Sequence, residues 1–390
     1  MSLRATRQSG TALAARLVVL AATVAVAGCS LSPFKSTSDR EAGEVAELFA
    51  DIEQPAEQSS PASGEPVAPP AEVDQAEAKS SLDTILKPPP AFVVAPPASS
   101  SASVALGDWQ TIEGGVNGNF MTGVASVDFR RPVAVAARDA FIYVVDADLQ
   151  AVLRYDRMTR RVSSVLDLRG VARGEVSDIY VAPDLSFYIA DPLGGRVKLF
   201  SHNGRLLQTF ENRLNMAKPV AVAVLDNQDV IVADGHYDHL LRFTPSGELI
   251  AAYSGRGLDA GDFLNILNMA VGPDGYYVGA RVGRKVQVIS PEGEYLYSFE
   301  EDAVRFPSAM VVDSENRSYI ADLMDDQIKI YDRGRLVSTI GGHGGTPGRF
   351  KRIADLWLDD ESLYVADSLN GRIQFARILS DGTGRLDTPE

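Results

Sequence analysis

Apolar residues along most of this chain come in short runs closed by Ala-Asp or by a turn of Gly, Asn, Asp or Pro. Residues 230–243 show the unit: Val230-Ile231-Val232-Ala233-Asp234, a short turn, then a second apolar run from Leu240. The pattern recurs at Asp146 with Val152, Asp191 with Val197, Asp322 with Ile328 and Asp367 with Ile373. A degenerate copy places Ala280 in the Asp position, with Val286 after it. In all six the apolar residue follows the Asp position by six, and successive copies lie 45, 43, 46, 42 and 45 residues apart. A period in the forties with a constant inner spacing marks a repeat array.

Each repeat holds up to four strand-like runs separated by turn residues. In the third they are residues 220–224, 230–233, 240–243 and 249–253. The inner runs are almost continuously apolar, as expected of strands packed on both faces. The pattern therefore predicts an all-β chain folded as a six-bladed β-propeller of four-stranded antiparallel blades, spanning residues 107–380 with a polar tail at 381–390. The sixth repeat lacks a fourth run after Ile378. Residues 109–112 are the candidate replacement, and their pairing with the last blade would close the ring and remove an open edge.

Ahead of the repeats the pattern is different. Arg4, Arg7 and Arg16 precede an apolar stretch at residues 17–27, too short to span a bilayer, and no acid occurs before Asp39. This is the layout of an export signal, residues 1–28. Residues 29–106 are rich in Pro, Ala, Ser and Glu and read as a disordered, self-repelling N-terminal tether; from Ser30 onward it holds twelve acids against four bases. Two apolar clusters within it are candidate docking motifs. Val45, Leu48, Phe49 and Ile52 share one face of a helix, and Phe92-Val93-Val94 would suit a sheet edge.

Two resemblances add to this reading. Val26-Ala27-Gly28-Cys29 is similar to a bacterial lipobox, which implies diacylglycerol on the Cys29 thiol, and Ser30 resembles the pattern sent to the outer membrane. The expected location is thus the cell envelope, at the outer membrane facing the periplasm, with the membrane engaged through the N-terminal lipid. The repeats themselves resemble the NHL repeat of six-bladed propellers. Residues 218–223, 306–311 and 367–375 are the best matches, whereas Ala280, Ala151, His239 and Gln327 depart from the pattern. That family includes binding scaffolds, nucleic-acid readers and metal-dependent lyases, so the likeness implies a fold more than a function.

Charge and chemistry narrow the classes. The formal net charge of −15 disfavours a nucleic-acid role, which needs a concentrated basic surface. Cys29 is the only cysteine, so no internal disulfide forms. The repeated Asp is expected to cap the turn that follows it. Where the fourth copy lacks it, Arg281, Arg284 and Lys285 form a basic spot for an anionic partner or lipid headgroup.

A sharper asymmetry lies in the first strands, where one column reads Ala134, Asp178, Ala221, Asn268, Ala309, Asp355. Polar groups alternate with alanines around the ring. Asp178, Asn268 and Asp355 are candidate ligands for a hard cation such as Ca²⁺ near the channel mouth, against the alternative that they bond channel water or cap strand ends. Lactonase-like and strictosidine-synthase-like propellers use channel-mouth acids and amides comparably. Tyr180 and Trp357, at matching inner-strand positions, read as packing residues. His236 and His239 lie three apart but lack an obvious third zinc ligand. Gly-x-Ser-x-Gly and phosphate-loop motifs are absent. Three readings follow: a lipid-anchored scaffold binding an unidentified envelope protein, a metal-dependent hydrolase or lyase at the channel mouth, and a non-catalytic ligand sensor.

Overall fold

The computed structural model describes residues 104–119, 123–283, 285–299, 304–359 and 362–380. The leader, Cys29, both candidate docking motifs, Arg284 and the tail lie outside the described residues.

Six sheets follow one another along the chain, each built on four antiparallel strands, which is the expected six-bladed propeller. In each blade the chain moves outward from the innermost strand, except that the sixth takes its outermost strand from the N-terminal end of the described region. The innermost strands are Pro132–Arg138, Asp178–Val181, Pro219–Val224, Leu264–Gly272, Pro307–Val312 and Ile353–Asp359. The second strands carry the continuous apolar runs, and Ile142, Tyr143, Val144 and Val145 show why: none of them is accessible to solvent. A strand covered on both faces gains nothing from alternation and so has none.

Burial is organised by seams between blades. Six hydrophobic clusters occur, each drawing on two neighbouring blades. Between blades one and two, for example, Val145 and Val152 meet Ile179, Phe187 and Ile189. No blade could bury such surface alone, so the wedges are stable only as a closed ring.

Closure is made by the N-terminal end of the described region. The strand Val104–Ile112 pairs antiparallel with Arg372–Ser380, from Val104 opposite Ser380 to Ile112 opposite Ile373. A bulge interrupts the register between Gly107 and Gln110, and Trp109, beside it, packs edge-on against Phe350 at 5.4 Å. The latch predicted at residues 109–112 is present but begins earlier. Val104 is buried in the seam between blades five and six, so the sheet takes in residues 104–106, which the composition had assigned to the tether.

One element was not foreseen. A hairpin of Gly114–Asn119 and Gly123–Asp128 extends blade one to six strands, joined to it by a single parallel bridge from Val116 to Arg161. Its glycines and asparagines lack the apolar signal by which the other strands were recognised.

Candidate functional site

The repeated Asp carboxylates are wholly buried in all five blades that have one. Asp234 shows their work. Its Oδ2 accepts the N–H groups of Ala217 and Lys218, which lead into the innermost strand, and its Oδ1 accepts those of His236 and Tyr237 in the following turn. Asp146 does the same for Arg130, Arg131, Asp148 and Leu149. One carboxylate thus satisfies four backbone donors that burial would otherwise leave unpaired. In blade four, where Ala280 cannot do this, Asp238 of blade three accepts the Ile266 N–H at 2.9 Å. Arg281, near the end of that strand, and Lys285, in the turn after it, are half-buried, with the Lys285 ammonium donating to the Arg281 carbonyl.

The channel column falls where the repeat alignment put it. Ala134, Asp178, Ala221, Asn268, Ala309 and Asp355 each pair with the residue just before the Asp position of the neighbouring strand. Five of the six border one cavity of about 340 Å³, and the innermost strands supply much of its wall.

The polar members reach across seams. Asp178 Oδ2 accepts the Val222 N–H of blade three at 2.8 Å, and Asp355 Oδ2 accepts the Val135 N–H of blade one at the same distance. Asp355 Oδ1 takes its neighbour's N–H, from Leu356. Asn268, as an amide, donates instead, from Nδ2 to the Pro307 carbonyl of blade five at 2.7 Å. The alternation now has a cause. Each polar side chain crosses toward a blade whose own column residue is an alanine, small enough to leave the backbone within reach. A related fit appears at Gly279, where an added Cβ would lie 2.5 Å from Asn268 Oδ1.

The three remaining seams carry other staples. Arg138 Nη2 donates to the Val181 carbonyl, Asp238 holds Ile266, and Asp326 Oδ1 accepts the Arg352 N–H at 2.7 Å. Sequence reasoning missed these, since Arg138, Asp238 and Asp326 hold no matched position in every copy.

The acids of the column are electrostatically strained. Both keep some surface toward the channel, but surrounding protein crowds them. Burial pushes the Asp178 carboxyl up to about 7. Burial also raises Asp355 well above the usual carboxylate range, and the negative charge of Asp178 adds to the shift. Two carboxyls that share a poorly solvated site tend to hold a proton in common.

Aromatic side chains narrow the channel beside them. Tyr180 and Trp357 meet edge-on at 5.6 Å across blade one, and Trp357 Nε1 donates to the Ala137 carbonyl. They pack as expected. His239 is buried with Nε2 against the Asn215 carbonyl, while His236 is exposed beside Tyr237. Among the described residues no three His, Cys, Asp or Glu side chains converge in a way that would hold a metal ion. An oxygen site in the channel would therefore draw on Asp178 and Asp355 with the amide of Asn268.

No protein-family model matches the chain, and none of the curated proteins matches it. Among solved structures it is similar to virginiamycin B lyase from Staphylococcus aureus, at 9% identity over 70% of this chain and 100% of that one, with a TM-score of 0.51. It is similar to a gluconolactonase from Xanthomonas campestris at 13% identity, 73% and 98% coverage and a TM-score of 0.52. A Bacteroides thetaiotaomicron protein of unknown function gives 19% identity, 71% and 76% coverage and a TM-score of 0.56. At such identities the likeness is one of fold alone.

Proposed function

We propose that the chain is a lipid-anchored cell-envelope propeller of NHL-repeat type that acts as a protein-interaction scaffold. One observation carries this reading: the channel's polar column is occupied in holding blades together. Asp178, Asn268 and Asp355 each spend a side-chain bond on the backbone of the next blade, which leaves the outer surface as the place for recognition. The lipobox-like Val26-Ala27-Gly28-Cys29 supports anchoring, and a tether of residues 30–103 would reach about 240 Å if fully stretched. Arg281, Arg284 and Lys285 offer an anionic occupant a point of contact. Changing Cys29 to Ser is expected to move the folded chain from the detergent phase to the aqueous phase on partitioning. Unchanged partitioning would refute the anchor.

A second reading has its own support. A carboxyl raised to about 7 beside another raised acid, at the edge of a cavity of about 340 Å³, is the kind of perturbed pair found at catalytic sites. Virginiamycin B lyase and the gluconolactonase named above are enzymes on related folds. Under this reading Asp178 and Asp355 would hold Ca²⁺ together with Asn268, and the chain would be a metal-dependent hydrolase or lyase. A chelator-stripped chain reloaded with Ca²⁺ should then melt at higher temperature, and Asp178→Asn should abolish the gain. The scaffold reading expects no shift.

A further inference from the structure

The two ends of the propeller differ in chemistry. At one end lie the turns that join first to second strands; Asp139, Asp184, Asp226, Asp274 and Asp313 stand in five of them, and Asp359 ends the first strand of the sixth blade. At the other end lie the repeated-Asp turns and the segments leading into the innermost strands. There the backbone donors to the Asp caps include Arg131, Arg173, Lys218, Arg305 and Lys351. Arg131 is paired with Asp148 and Glu175, and Arg305 with Asp325, whereas Arg173 and Lys218 are exposed and Lys351 is half-buried on the same face.

The same face carries exposed apolar tips. The residue two places after the Asp position faces solvent, in the turn or, for Val282, at the end of the strand, where a polar side chain is the ordinary choice. It is Leu193, Val282, Met324 and Leu369 in four blades, with 72%, 39%, 58% and 58% of their surface exposed. Asp148 and His236 hold the position in the other two. Asp148 is paired with Arg131 at 2.7 Å, and His236 is followed by the exposed Tyr237.

We propose that this face lies against an anionic lipid bilayer, its apolar tips entering the headgroup region and its flanking arginines and lysines pairing with lipid phosphates. Charge complementarity argues for an anionic occupant, and the spacing of the tips argues for a fluid one. Each tip stands on a different blade. A rigid protein would need a separate matching pocket for each, whereas a bilayer receives every tip where it stands. Shallow apolar insertion combined with basic side chains is the physical basis of interfacial binding. Arg281 and Lys285 flank Val282 on this same face, so a partner that meets them would do so at the membrane surface, with the opposite end facing away from it. The proposal takes from the scaffold reading only that a membrane is near; the contact itself needs no acyl chain.

The test uses the full-length Cys29→Ser chain, which carries no lipid, with sedimenting vesicles of phosphatidylethanolamine and phosphatidylglycerol or of phosphatidylcholine alone. Binding is expected to the anionic vesicles and to weaken in high salt. Combined Leu193→Ser, Met324→Ser and Leu369→Ser should weaken it about tenfold while leaving the melting temperature unchanged, because all three side chains are exposed. Arg173→Glu with Lys218→Glu should do the same. The proposal is overturned if the two vesicle types bind alike, or if the triple serine variant binds as tightly as the parent. If anionic vesicles are ignored while the triple variant loses a cross-linked envelope protein, the face docks protein; the lipid claim then falls and the scaffold reading stands.

Discussion

A single carboxylate does different work according to where the repeat puts it. Asp234 is surrounded by backbone donors and stays a cap; Asp178 and Asp355 have fewer donors, and the protein crowded round them disfavours their charge. The folded carboxyls release their protons above the range of an unfolded Asp. Their contribution to stability is therefore complete below about pH 4 and lost as pH rises through about 7. His239 opposes them, because burial lowers its pKa and acidification charges it more readily in the unfolded chain. Comparison with a variant isolates the acids. In chelated buffer, Asp178→Asn with Asp355→Asn should stabilise the protein relative to wild type at pH 8 and lose that advantage at pH 5. A melting-temperature difference independent of pH would show that the two acids titrate normally.

At the scale of the element, what was legible in the chain depended on how strongly burial constrains composition. The second strands are covered on both faces, so Val230-Ile231-Val232-Ala233 could be read without coordinates. The capping role of the repeated Asp was equally visible, because a residue fixed in five turns points to the backbone. The hairpin at residues 114–128 was not, since its strands hold glycine and asparagine and pack little apolar surface. The latch was half seen: Trp109 announced it, but Val104 and Leu106 lie in a stretch whose Ala and Ser content resembles the tether. In the column the residues were legible and their bonds were not, because reach across a seam depends on the alanine of the next blade. A chain beginning at residue 107 should consequently be less stable than one beginning at residue 103. Loss of the buried Val104 side chain alone is worth about 1.5 to 3 kcal/mol, a difference readable by urea unfolding. Equal midpoints would mean that the strand closes the ring without help from its first turns of sequence.

The propeller is a ring in which every seam is sealed twice, by an apolar cluster and by a side chain bonded to the neighbouring backbone. That arrangement explains why Asp178, Asn268 and Asp355 sit in the channel, and under the scaffold reading it leaves recognition to the surface. There the ends differ, one bearing apolar tips beside the exposed Arg173 and Lys218 and the other without such tips in its first-to-second-strand turns, so the propeller has a direction as well as a shape. Cross-linking in intact cell envelopes tests the division between channel and surface most directly. The wild-type chain, the Asp178→Asn with Asp355→Asn variant, and an Arg281→Glu with Lys285→Glu variant would be compared by the proteins captured. The scaffold account predicts that the channel variant captures the wild-type set and that the surface variant does not. Loss of capture by the channel variant, with the surface variant unchanged, would contradict it.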